Sequence, residues 1–227
     1  MANSILPSIC VIIPTFNREK YLGEAIESIL NQDYHPIEII VVDDGSTDNT
    51  REIVKSYPNV NYVYQKNAGQ AAAINRGIAL SKSEYLAFVD SDDLWISGKL
   101  HLQMDYIQNH LKVKMVFGHV QQFCIDKYIS IHGKEATKVL PGFVLGTLLL
   151  RKKDFLKIGY LQSELRVGEF INWFAHAQEA GVQYHILKKI LLKRRLHDGN
   201  LGLQEQSGPN NYAQILKAKL DRKRRKI

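Results

Sequence analysis

The sequence predicts an α/β fold, a mostly parallel sheet flanked by helices, in a single domain of 227 residues. Three observations carry this. The apolar runs Ser8 to Ile13, Pro36 to Val42 and Tyr85 to Val89 are continuous rather than alternating, as strands buried on both faces are. The segments between them have helical periodicity, so strand and helix alternate as in a parallel sheet with crossover helices. Each run also closes on polar or acidic residues, and open α/β sheets bind ligands at the carboxyl ends of their strands.

Each element has its own signal. The first strand leads into the polar loop Pro14 to Arg18. A helix follows over residues 20 to 32, where Leu22, Ala25, Ile26, Ile29 and Leu30 mark one buried face. The second strand ends in Asp43, Asp44 and the turn residue Gly45. Ser46, Thr47 and Asp48 offer capping side chains to a helix from Arg51 to Tyr57, which Pro58 and Asn59 stop. Val60 to Tyr64 alternates as a strand, the alanine-rich stretch Gly69 to Ser81 is helical, and Glu84 to Val89 returns as a strand. Beyond Asp93, Leu94 to His110 reads as a helix, Met115 to Gly118 as a strand, and Val120 to Ile131 as an antiparallel excursion. Two helices, Lys152 to Ile158 and Glu169 to Ala180, precede a final strand, Tyr184 to Leu192. The chain closes on a polar loop and a basic amphipathic helix from Tyr212. No repeat or low-complexity linker divides the two halves.

Composition is that of an ordinary globular chain and excludes neither an enzyme nor a binding module. The 30 Lys and Arg residues against 23 Asp and Glu give a net charge of +7, concentrated in Lys188-Lys189, Lys193-Arg194-Arg195 and the run Arg222 to Lys226. Such charge suits anionic lipid or diphosphate, or a solvated tail. The terminal run lacks interleaved aromatics, so no nucleic-acid partner is expected. Cys10 and Cys124 are too few, and too apolar in setting, for a disulfide framework or a thiolate metal site. The apolar stretch Phe143 to Leu150 is too short to span a bilayer and no leader pattern opens the chain, which places the protein in the cytoplasm. The basic C-terminus would allow peripheral contact with the inner membrane surface, because clustered Lys and Arg attract anionic headgroups.

The densest chemistry lies in Asp90-Ser91-Asp92-Asp93, three acids in four residues at a strand end. Mutual repulsion makes such a cluster tolerable only with a cation among them. Hard oxygen ligands suit Mg²⁺ or Mn²⁺, which are held by one or two carboxylates together with substrate phosphates. The bland alternative is a solvated acidic turn capping the next helix.

Taken together, Pro14-Thr15-Phe16-Asn17, the segment Glu24 to Gln32, Val41 to Asp48, Asn67 to Gln70 with Asn75 to Ile78, and Asp90 to Asp93 resemble the family 2 glycosyltransferases. The resemblance is close from residue 8 to about 100 and weaker to about residue 203. It implies a Rossmann-like sheet of the GT-A type, with a donor half near 8–100, an acceptor half near 101–203, and a basic helix or tail at 204–227. The implied activity is metal-dependent transfer of a sugar, with inversion, from a nucleotide sugar, most simply UDP-linked, to a glycan, lipid-carrier or peptide acceptor.

The resemblance also implies roles. Asp44 would accept the N–H of a pyrimidine ring, the bland alternative being a turn-forming Asp before Gly45. Pro14, Thr15, Phe16, Asn17 and Arg18 would line the nucleotide pocket, with Gly69, Asn75 and Ser91 as further donor contacts. Asp90 would reach the ribose or the metal and Asp92 would ligate the metal; Asp93 could replace either or cap the next helix. Arg194, Arg195, His197 and Asn200 resemble the family's C-terminal Arg-x-His-x-x-Asn element, in which Arg194 or Arg195 would hold the diphosphate and His197 would add a metal ligand.

Glu169, opening a helix beside Gly168, occupies the place of the acceptor-side base. Two departures stand out. Asn172 replaces an acid common in relatives, which leaves Glu169 as the base or marks an impaired, binding-only relative. Ile74 replaces a common Arg, which shifts the diphosphate contacts toward Arg76 or Lys66. A nucleotidyltransferase would share the acidic strand ends, but no glycine-rich basic loop follows the first strand. A basic membrane or nucleic-acid module would leave the buried acidic strand ends unexplained.

Overall fold

The computed structural model describes residues 6–124, 138–165 and 168–197. The chain opens with β1 (Ile9–Thr15), α1 (Leu22–Leu30), β2 (Ile37–Asp43), α2 (Thr50–Lys55), β3 (Val60–Tyr64), α3 (Gln70–Leu80) and β4 (Tyr85–Phe88). These four strands pair in parallel in the order β3-β2-β1-β4. The alternation of strand and helix read from the sequence is therefore present.

The second half adds β5 (Leu94–Trp95), α4 (Lys99–Asn109), β6 (Met115–Cys124), β7 (Val139–Gly142), β8 (Leu149–Arg151), α5 (Lys152–Ile158), α6 (Glu169–Glu179) and β9 (Tyr184–Leu196). Here the pairing is mixed: β8 is antiparallel to β4 and β6, while β6 and β9 run parallel. Among the described residues all nine strands share one sheet, ordered β3-β2-β1-β4-β8-β6-β9-β5 with β7 beside β6.

Alternate side chains of the central strands serve two cores, as the two-residue strand period requires. Ile9, Val11 and Ile13 of β1 join Leu22 and Ile26 of α1 and Leu100 and Met104 of α4 on one face. Cys10 and Ile12 join Ile74 and Ile78 of α3, Phe155 of α5, and Phe170 and Trp173 of α6 on the other. The continuous apolar runs of β1 and β2 follow from helices covering both faces. Ile74 is fully buried in the second core, so the position at which the resemblance implied an Arg is filled here with aliphatic volume.

Three boundaries differ from the sequence reading. The expected helix over 94–110 begins only at Lys99, because Leu94 and Trp95 pair with Lys193 and Leu192 of β9. The expected excursion after Val120 begins instead as β6 itself, which runs unbroken to Cys124 and carries β7 as an antiparallel partner. The last strand extends past Leu192 to Leu196, held by β6 through the pair Cys124–Leu196. Arg194 and Arg195 thus belong to a strand rather than to the loop after it. Asn200 and the basic segment 204–227 lie outside the described residues. No helix among the described residues is long and apolar enough to cross a membrane.

Candidate active site

The carboxyl ends of β1, β2 and β4 converge, and the terminus of β9 meets them from the other half of the sheet. The loop after β1 is laced to the turn after β2. Asn17, at φ 51°, accepts at Oδ1 from the Thr47 backbone N–H at 2.8 Å and donates its own N–H to Ser46 Oγ at 2.8 Å. Asp43 forms the turn that the sequence reading gave to Asp44: its Oδ1 accepts from the Ser46 N–H at 2.8 Å and its Oδ2 from the Tyr62 hydroxyl at 2.6 Å.

Asp44 is thereby left to organise the loop before α3. Its Oδ1 accepts from Gln65 Nε2 at 2.7 Å and the Ala68 N–H at 2.8 Å, and its Oδ2 accepts from the Gly69 N–H at 2.8 Å. A carboxylate offers about four acceptor positions, so Oδ2 retains capacity for one further donor. Gly69, at φ 94°, is the residue that can turn the chain into α3 there. Thr15 Oγ1, at the end of β1, is buried and has no partner among the described residues, a state that a bound ligand or water would complete.

Asp92 is the hub of the acidic cluster. Its Oδ2 lies 2.9 Å from His197 Nε2 and accepts from Arg18 Nε at 3.3 Å. Burial opposes its ionisation, but the His197 hydrogen bond and the Arg18 charge outweigh burial and hold its pKa below the ordinary carboxylate range. Asp90 goes the other way: burial and the adjacent Asp92 charge push it up to about 6, although Arg194 and Arg18 act on it and Gln70 Nε2 donates to its Oδ1 at 2.9 Å. Asp93 is raised well above the usual range by burial and by Asp90 and Asp92. It does not cap the following helix, which starts six residues on; its Oδ1 accepts from the Arg195 N–H at 2.9 Å.

The two arginines of β9 part company. Arg195 is buried: its Nε donates to the Asp92 carbonyl at 3.1 Å, its Nη2 donates to Glu24 at 2.8 Å, and its guanidinium lies over Tyr21 and Phe123. Expected as a diphosphate ligand, it is instead the pin that fastens β9 to the Asp92 loop and α1. Arg194 acts electrostatically on both Asp90 and Asp93, which puts its charge on the crevice side. His197 also packs against the Tyr21 ring at 4.7 Å.

Asn75, expected beside the donor, is occupied elsewhere. Its Nδ2 donates to the Leu161 carbonyl at 2.8 Å and its Oδ1 accepts the Leu161 N–H at 3.0 Å, so it clamps α3 to the segment before α6. Asn172 is buried and donates to Gln162 in that same segment at 3.0 Å. Glu169 opens α6 behind Gly168, which is left-handed at φ 86°. Burial pushes the Glu169 pKa up to about 7, and Asp90 is close enough to add to the rise. Pro14 lies near the end of β1 as a fully buried strand residue, Phe16 is exposed and Ser91 is buried beside the two acids. The sequence reading gave no role to Gln70, whose only cue was its place directly after Gly69.

No three His, Cys, Asp or Glu side chains among the described residues are grouped to hold a metal by themselves. The donor set still fits Mg²⁺ or Mn²⁺ arriving with a diphosphate, because such ions take one or two carboxylates plus phosphate oxygens. Burial first, and the neighbouring carboxylates second, suppress the ionisation of Asp90 and Asp93, an effect that an added cation would oppose.

Comparison with known proteins agrees with this geometry. The sequence model of Glycosyl transferase family 2 matches residues 10–178. An uncharacterized glycosyltransferase of Rickettsia bellii is 39% identical across 95% of this chain and 32% of its own length. Another, from Rickettsia typhi, is 34% identical across 86% of this chain and 66% of its own. The chain thus spans about a third to two thirds of the length of these relatives. The crystal structure of S. aureus TarS 1-349 in complex with UDP-GlcNAc superposes with a TM-score of 0.76 at 22% identity, over 93% of this chain and 65% of that one. At this identity the likeness is one of fold, the GT-A type.

Proposed function

The chain belongs to glycosyl transferase family 2, and on that premise we propose that it moves a sugar from a UDP-linked donor to an acceptor hydroxyl, with inversion at the anomeric carbon. The observation that carries this reading is the set of oppositely tuned carboxyl groups: Asp92 held ionised by His197 and Arg18, and Glu169 raised to about 7 by burial, within electrostatic reach of Asp90. Acid–base roles are marked by titratable groups whose surroundings push their pKa values apart.

In this reading Asp44 accepts the uracil N–H at its remaining Oδ2 position, and Thr15 completes its hydroxyl on the nucleotide. Asp92 and Asp90, together with phosphate oxygens of the donor, would hold Mg²⁺ or Mn²⁺, with His197 beside Asp92. When bound, the ion offsets the negative charge that develops on the departing diphosphate. Arg194 and Arg18 supply further positive charge on the same side. Glu169 takes the proton of the acceptor hydroxyl as its oxygen bonds to the anomeric carbon; the bond from that carbon to the β-phosphate oxygen breaks, and its electron pair leaves with UDP. A carboxylate with a pKa near 7 suits that task, being ionised in a useful fraction yet basic enough to accept a proton. The single sheet over the described residues supports treating the chain as one transferase domain; the acceptor class in this reading is a glycan, lipid carrier or peptide.

The test is release of UDP from a panel of UDP-sugars with Mn²⁺, with Mg²⁺ and with chelator. Release that needs the ion and one sugar of the panel supports the reading. No release from any UDP-sugar, with another nucleoside diphosphate sugar turned over instead, overturns the uridine assignment.

A further inference from the structure

We propose that the chain carries a second ligand site, at the opposite end of the sheet from the Asp92 crevice, which binds a phosphate ester bearing hydroxyl groups. A cavity of about 340 Å³ lies between the end of α4 and α5, within the range of about 300–1,000 Å³ usual for small-molecule sites. Arg151 on its wall pairs in the sheet with Tyr85, at the amino end of β4, whereas Asp90 follows the carboxyl end of that strand. The cavity is therefore separate from the donor crevice, and the transfer chemistry does not use it.

Its floor is apolar, formed by Ile107, Leu111 and Val113, and four cations surround it: Lys114, Arg151, Lys153 and Lys157. Their charges are poorly balanced from within. Arg151 pairs with Glu84. Lys114 Nζ donates to the Leu111 carbonyl at 2.7 Å, which is neutral and leaves its charge standing. Lys157 reaches Asp154 Oδ1 only at 3.9 Å. Three lysines thus share one carboxylate at a single cavity, a field that concentrates anions. A phosphate is the anion that lysines bind as point charges.

The second observation concerns Asp154, also on the wall. Its Oδ2 is buried and has no hydrogen-bond partner among the described residues. A buried acceptor without a donor is costly, and a carboxylate oxygen would repel a bare phosphate. A hydroxyl on the carbon chain next to the phosphate avoids that repulsion, donating to the Asp154 carboxylate at Oδ1, which Lys157 reaches only at 3.9 Å, while the phosphate faces the lysines. Glycerol phosphate has this chemistry, and so does the glycerol phosphate headgroup of an anionic lipid.

The test uses the whole chain with excess UDP present, so that the donor crevice is filled. Calorimetry with glycerol 3-phosphate and with inorganic phosphate should show the ester binding more tightly. Lys153→Glu combined with Lys157→Glu should weaken the ester by about tenfold or more, without moving the melting midpoint, because both side chains are exposed. Asp154→Ala should remove the preference for the ester over inorganic phosphate. Flotation with phosphatidylcholine vesicles, with and without phosphatidylglycerol, separates the sources. Capture only by phosphatidylglycerol, lost in the double variant, identifies a lipid headgroup; ester binding without flotation identifies a soluble ligand. Absence of both, or binding that survives the double variant unchanged, overturns the proposal.

Discussion

His197 Nε2 and Asp92 Oδ2 lie 2.9 Å apart, although 105 residues separate them in the chain. This contact joins the end of β9 to the acidic loop after β4 and draws Asp92 toward ionisation. Asp92→Asn removes the charge but keeps an acceptor for His197. We expect it to lose ion-dependent turnover of the donor while its circular dichroism remains parental. Chelation of the parent should produce the same loss, and calorimetry should show UDP binding weakened without Mn²⁺ or Mg²⁺. Equal UDP affinity with chelator and with ion would refute the metal assignment.

Glu169 sets a pH dependence. As a base it must be ionised, so turnover should rise with pH through about 7. Glu169→Gln should lower turnover by about 10²–10⁴-fold, abolish that rise and leave UDP affinity intact. The same residue shapes stability. Its pKa is higher folded than unfolded, so its contribution is full below about 4.5 and is lost as pH rises through about 7. The Glu169→Gln variant should therefore gain melting midpoint relative to the parent across that window. Asn172 faces Gln162, so adding Asn172→Asp to the Glu169→Gln variant should not restore turnover; recovery would assign the base to position 172.

Asn75→Ala should separate scaffold from binding. Leaving the Leu161 backbone groups without partners costs about 1–3 kcal/mol, seen as a lower denaturation midpoint, while UDP affinity stays parental. A loss of UDP affinity at unchanged stability would return Asn75 to the donor pocket.

Arg194 and Arg195 should likewise come apart. Arg195→Ala removes the bonds to Glu24 and the Asp92 carbonyl, each worth about 1.5–3 kcal/mol when a charged group takes part, and should lower stability first. Arg194→Ala should weaken UDP binding with little change in melting. The reverse pattern would mean that β9 is rotated by one residue relative to the crevice.

The parts of the site that lie at strand ends were legible because their signal is local. An apolar run closing on Asp43 and Asp44, or on Asp90 to Asp93, needs no partner to be recognised. What stayed hidden depends on distant pairing. Leu94 and Trp95 look helical until β9 arrives to pair with them, 97 or more residues later. The same strand fixes Arg195 in a buried pocket, where the resemblance implied a diphosphate ligand. Asn75 carried the right residue type for a polar contact, but its partner, Leu161, is 86 positions away. The division of labour between Asp43 and Asp44 also escaped local reading, since both precede Gly45 and it is Tyr62 on one and the loop at 65–69 on the other that distinguish them.

The way β9 closes the crevice has a consequence for biosynthesis. Glu24 and Arg195 are 171 residues apart and Asp92 and His197 are 105 apart, so these contacts have the long sequence separation that slows folding. A nascent chain can pair β1 to β4 early, as domains emerging N-terminus first do, but its acidic cluster then lacks Arg195 and His197. Until the ribosome has released residue 197, the β1–β4 sheet carries an acidic rim that Arg18 meets but Arg195 and His197 do not. Chains arrested before that point should resist proteolysis over residues 9–88 yet bind no UDP, and extension through β9 should confer binding in a single step.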